Sequence, residues 1–78
     1  MDPITEDQLI DLDRLVRRYE FRKEFGLKSP EELEQEWRAV LNVAMTLARD
    51  LHASLIEVLG LARLTYWERK AAAKSDSV

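Results

Sequence analysis

The stretch "EFGLKSPEE", residues 24–32, ends one helix and starts another within a few residues. Gly26 stands where a helix terminus wants a left-handed residue, and Leu27 is the hydrophobic follower of that cap. Ser29 is an N-cap, Pro30 occupies a first turn where its missing N–H is harmless, and Glu32 closes a capping box. Two helices joined by so short a loop must turn back on each other. The spacing therefore predicts an antiparallel helical hairpin.

Working outward from that turn, the first helix is expected over about 6–25, with Thr5 as N-cap, Gln8 at capping-box spacing, and Glu6 and Asp7 at the positive end of the dipole. The second helix shows an apolar stripe at 100° per residue through Leu33, Trp37, Val40, Leu41, Ala44, Leu47, Ala48, Leu51, Leu55, Val58 and Leu59. Its phase is unbroken, so it reads as one long helix over about 30–59. Gly60 then marks a kink or end. A short C-terminal helix is expected over about 61–73, and residues 75–78 as a disordered tail. The fold class is all-α in a single small domain over 1–78.

Lengths shape the next expectation. A first helix of about 20 residues spans ~30 Å of a partner helix that would be ~45 Å long. Leu55, Val58 and Leu59 would then lie bare unless the third helix folds back over them or a second chain does. The sequence favours the second solution, a dimeric helical bundle. Leu55, Val58, Leu59, Tyr66 and Trp67 are the self-association residues.

Composition fits this picture and narrows the chemistry. The chain has 78 residues, no cysteine and one histidine, so disulfides and thiolate metal sites are excluded. A chain this small is marginal alone, which again favours a partner. No apolar run approaches the ~20 residues of a membrane span, so no membrane association and a cytoplasmic location are expected. The formal net charge is −3. Residues 1–36 carry eleven acids and six bases, whereas residues 61–78 carry four bases and two acids. An acidic front with a basic tail weakens a nucleic-acid reading without removing it.

Three stretches are candidates for function. The stretch "RLVRRYEFRKEF", residues 14–25, belongs to the first helix, in which Leu9, Leu12, Leu15, Val16 and Tyr19 form the face that should meet the second helix, while Ile10, Phe21 and Phe25 project elsewhere. Aromatic anchors among guanidinium groups suit a protein-binding surface, so Arg14, Arg17, Arg18, Phe21 and Phe25 are the candidate partner-binding residues. The same arginines are also spaced to pair with Asp11, Asp13 and Glu20 along the helix. The acidic "EELEQEW" lies in the first turns of a helix, where carboxylates stabilise the dipole rather than converge on a reaction. His52 falls beside the apolar stripe as a candidate pH-sensitive element.

The third stretch is "ASLIEVLGLARLTYWERK", which resembles the helix-turn-helix of transposases and phage repressors. The resemblance implies that Gly60 is the turn glycine and that Arg63, Thr65, Trp67, Arg69 and Lys70 sit on the reading helix. Arg63, Thr65, Arg69 and Lys70 would then contact DNA. The stretch departs from that pattern at Ile56, where a small residue is usual, and at Arg69, where an apolar one is. On the same argument, a break near Asp50 would favour DNA and a straight helix over 30–59 would favour packing.

No nucleophile with a base at helical spacing, no glycine-rich phosphate loop and no metal-ligand spacing occurs. The expectation is therefore not an enzyme, with no cofactor, no metal and no small-molecule substrate. It is a small helical interaction protein that binds and modulates another protein. Its size and acidity are similar to those of small regulators and inhibitors encoded by phages and plasmids. The alternative is a DNA-binding transcriptional regulator using residues 54–74.

Overall fold

The computed structural model describes residues 2–76. Three α-helices, α1 (Pro3–Glu24), α2 (Pro30–Leu51) and α3 (Leu55–Asp76), make up the described chain. Each has 22 residues and is about 33 Å long. No helix among the described residues is long and apolar enough to cross a membrane.

The hairpin forms as the turn residues require. Gly26 adopts φ 64°, the left-handed region. Leu27 N–H then donates to Arg22 O at 3.0 Å and Gly26 N–H to Lys23 O at 3.4 Å, a Schellman closure. Ser29 Oγ accepts from Glu32 N–H at 3.3 Å, and Pro30 is the first residue of α2. Antiparallel pairing of α1 with α2 follows: Tyr19 stacks on Trp37 with ring centroids 5.0 Å apart, and Arg22 is ion-paired with Glu36. The start of α1 differs from the expectation. Its N-cap is Asp2, whose carboxylate accepts from Ile4 N–H at 3.0 Å, and Pro3 holds the first turn, so Thr5 is already helical.

The larger correction concerns the long second helix, which is two helices. α2 ends at Leu51, and His52 adopts φ 54°. Ala53 N–H donates to Ala48 O at 2.9 Å and His52 N–H to Arg49 O at 3.3 Å, the same Schellman pattern that Gly26 makes. Ser54 then caps α3, its Oγ accepting from Glu57 N–H at 3.2 Å. The turn replaces about one helical turn, so Leu51, Leu55 and Val58 keep the spacing of an uninterrupted stripe. That coincidence of phase hides the break.

Gly60, expected as a kink or end, lies inside α3, and a Cβ there would meet nothing within 4 Å. The helix also continues to Asp76, taking in two of the four residues expected as a tail; residues 77–78 lie outside the described residues.

All three helices feed one core: Leu9 and Leu12 from α1, Val40, Ala44, Leu47 and Ala48 from α2, Val58 and Ala62 from α3. Alanines at three of these positions let the helix backbones approach. Ile10, expected to point away, is buried, and so is Asp13. The stripe that seemed to need a second chain is covered from within: α3 folds back, Val58 is fully buried, and Leu55 and Leu59 pack on the core.

Candidate protein-interaction surface

Burying Leu9, Leu12 and Val16 inward leaves the opposite side of α1 facing out. At its C-terminal end Phe21 and Phe25 stack at 4.7 Å between ring centroids, yet remain 55 % and 60 % exposed. The left-handed turn at Gly26 brings Leu27 in at the same end, also 59 % exposed. Arg14 and Arg18 lie on the same side of the helix, both exposed. Arg14 makes only a long contact of 3.5 Å with Asp11, and Arg18 has no ion pair among the described residues.

Arg17 is placed differently. Its Nε donates to Asp13 Oδ2 at 2.6 Å, and its guanidinium lies 4.0 Å over the Tyr66 ring and 5.1 Å from that of Trp67. The Asp13 hydrogen bond raises the Arg17 pKa above its ordinary value, partly opposed by desolvation. Arg17 is thus an internal strut between α1 and α3. Of the residues read as self-associating, Val58 is fully buried, Leu55, Leu59 and Tyr66 are half-buried, and Trp67 is exposed.

The candidate DNA-contacting set is divided in the same way. Thr65 is buried, and its Oγ1 donates to Leu61 O at 2.7 Å. Arg69 clamps α3 to the start of α1, with contacts of 2.8 Å to Glu6 and 2.8 Å to Asp7. Its pKa is raised by the hydrogen bonds it donates to Asp7 and then Glu6. Arg63 and Lys70 remain exposed, with Lys70 Nζ 5.1 Å from the Trp67 ring. A helix–turn–helix order does exist, but its turn is 52–54 rather than Gly60. The first exposed residues of α3 are Ile56 and Glu57, followed by Gly60, Arg63 and Leu64. Ile56 is 83 % exposed, and the acid beside it opposes phosphate.

Elsewhere the side chains serve structure. Glu32 is held below the usual carboxylate range, first by the Ser29 hydroxyl and then by Lys28. Glu34 pairs with Arg38 at 2.8 Å and Glu36 with Arg22, so the acidic cluster is dispersed along α2. Among the described residues no group of three His, Cys, Asp or Glu side chains is placed to hold a metal ion. An open groove between α1 and α2 has Leu15, Val43 and Leu47 in its lining together with Asp11 and Asp50.

Two features were open to sequence reasoning and were missed. Ser54 and Glu57 have capping-box spacing, which marks a helix start. Ile56 and Leu64 fall outside the buried line through Val58, Ala62 and Thr65. Comparison with known proteins finds no matching family model, no matching curated protein and no matching solved structure.

Proposed function

We propose that the protein is a non-catalytic helical module that binds another protein through the outward face of α1 and modulates it. One observation carries this reading. Phe21, Phe25 and Leu27 are large, apolar and more than half exposed at one end of the molecule, beside Arg14 and Arg18. Contiguous exposed apolar groups rimmed by charge mark interaction sites. Aromatic rings with arginine neighbours are the residue types that dominate binding energy.

The test is capture from a lysate of the source cells by immobilised wild type and by the Phe21→Ala/Phe25→Ala variant. The reading expects a protein retained by the wild type and lost from the variant. Equal retention by both would place binding elsewhere on the chain. The helix–turn–helix order around His52 supports a second reading, DNA binding through α3. Retention on duplex DNA at ~50 mM salt, lost on changing Arg63 and Lys70 to alanine, would establish it instead.

A further inference from the structure

The outward face of α1 has a repeat of its own. Ile4, Asp7, Asp11, Arg14, Arg18, Phe21 and Phe25 follow one another at alternating steps of three and four residues. That is the spacing of a seam along which two helices pack, with a mean period of about 3.5 residues. All seven side chains are exposed, and they lie opposite Leu9, Leu12 and Val16, which face the core. α1 therefore uses one side to build its own domain and presents a second, regular side to solvent.

The order of residues on that side is self-complementary. Both acids precede both arginines, and an apolar residue stands at each end. Laid antiparallel on a second α1, with a two-fold axis between Leu12 and Asp13, Ile4 meets Phe21, Asp7 meets Arg18 and Asp11 meets Arg14. Each of these contacts then occurs twice, because an isologous interface repeats every pair. A parallel arrangement would set Asp on Asp and Arg on Arg, so the charges select the antiparallel one. Each layer also pairs the two kinds of seam position with each other, as antiparallel helix packing requires.

We infer that the occupant of this face is a second copy of the same chain, docked α1 against α1 in that register. This rests on the reading of the α1 outer face as a protein-binding surface. Charge complementarity decides the occupant, since the face is its own complement in one register. The existing contacts leave room for it. Asp11 and Arg14 are 70 % and 68 % exposed and only 3.5 Å from one another, so they can exchange that contact for one across the axis. Asp7 also holds Arg69, yet stays 65 % exposed. Phe25, stacked on Phe21, lies at the end where Ile4 of the second copy would arrive.

From Ile4 to Phe21 the seam is about 26 Å long. One helix-on-helix contact of that length buries less than the roughly 1,200–2,000 Å² of a stable interface, and four of its six layers are charged. The dimer should accordingly be weak, with Kd on the order of 10–100 micromolar, and weaker still at high salt.

Sedimentation equilibrium on the full chain from micromolar to millimolar concentration tests the proposal, using wild type, R14D and D11R. Both positions are exposed, and circular dichroism checks whether each variant remains helical. In either variant alone the central layers become like-charged, and dimerisation should fall at least tenfold. In the 1:1 mixture every acid again meets an arginine, and association should return to near the wild-type level. A wild type monomeric throughout overturns the inference. So does dimerisation that is indifferent to the two variants, or weakened by both and not restored by mixing. Capture of a lysate protein dependent on Phe21, by a chain that never dimerises, would leave the protein-binding reading standing and remove only the second copy.

Discussion

The turn at His52 makes a prediction whose sign separates two structures. His52 is exposed at φ 54°, where a residue with a Cβ is disfavoured by roughly 1–2 kcal/mol relative to glycine. Its side chain makes no hydrogen bond or ion pair among the described residues, so His52→Gly removes no side-chain contact. Glycine loosens the unfolded chain, which offsets about 0.4–1 kcal/mol of the relief. The net expectation is a gain of about 0–1.6 kcal/mol, centred near ~0.8 kcal/mol. For a domain of this size, 1 kcal/mol moves Tm by about 4–8 °C, so Tm should rise by about 3–6 °C at that centre. Had residues 30–59 formed one helix, the same glycine would sit in a helix interior and cost about 0.5–1 kcal/mol. Thermal unfolding followed by circular dichroism, with protein concentration held fixed, reads the difference. A fall in Tm would refute the turn.

Gly60→Ala should act in the same direction for the opposite reason: in mid-helix with open space around it, alanine should stabilise by about 0.5–1 kcal/mol, whereas a kink at Gly60 would make the change unfavourable. Leu12→Ala, at a fully buried position, should cost about 2–5 kcal/mol and bring the urea midpoint down sharply, since small domains have few kcal/mol to lose. Ser29→Ala should cost about 1 kcal/mol near neutral pH. Part of that depends on ionised Glu32, whose pKa is lowered in the fold, so its contribution is present above the unfolded value and lost as pH falls through the folded one. The gap between wild type and Ser29→Ala, measured by urea unfolding, should narrow below about pH 4.3.

The first turn and the second use the same hydrogen bonds, yet only one was legible. At Gly26 the left-handed residue is glycine, and glycine announces it. At His52 the same conformation is taken by a residue with no such signature, and the apolar phase runs on across it. Sequence periodicity reports the direction of side chains and is blind to a turn that preserves that direction. The aromatic end of α1 was legible because Phe21 and Phe25 fall off the face that meets α2. Arg17 was not, because only the return of α3 gives it Tyr66, and that return depends on the hidden turn. The buried line of α3 passes through Ala62 and Thr65, small residues that a search for large apolar ones overlooks.

That line also divides α3 into halves held by different forces. From Leu55 to Thr65 the helix buries Val58, Ala62 and Thr65, and its attachment is apolar packing. Beyond Thr65 no residue whose exposure is described is buried, and charged groups join this half to α1: Arg17 lies over Tyr66, and Arg69 is paired with Glu6 and Asp7. Exposed ion pairs are screened by salt, whereas apolar burial is not weakened by it. Arg69→Ala should therefore lower amide protection in residues 66–74 and leave residues 55–65 nearly unchanged, as read by native-state hydrogen exchange. Raising NaCl to ~0.5 M should do the same to the wild type and add little to the variant. If both halves lost protection together, α3 would open as one unit, and the two-force description of its attachment would be wrong.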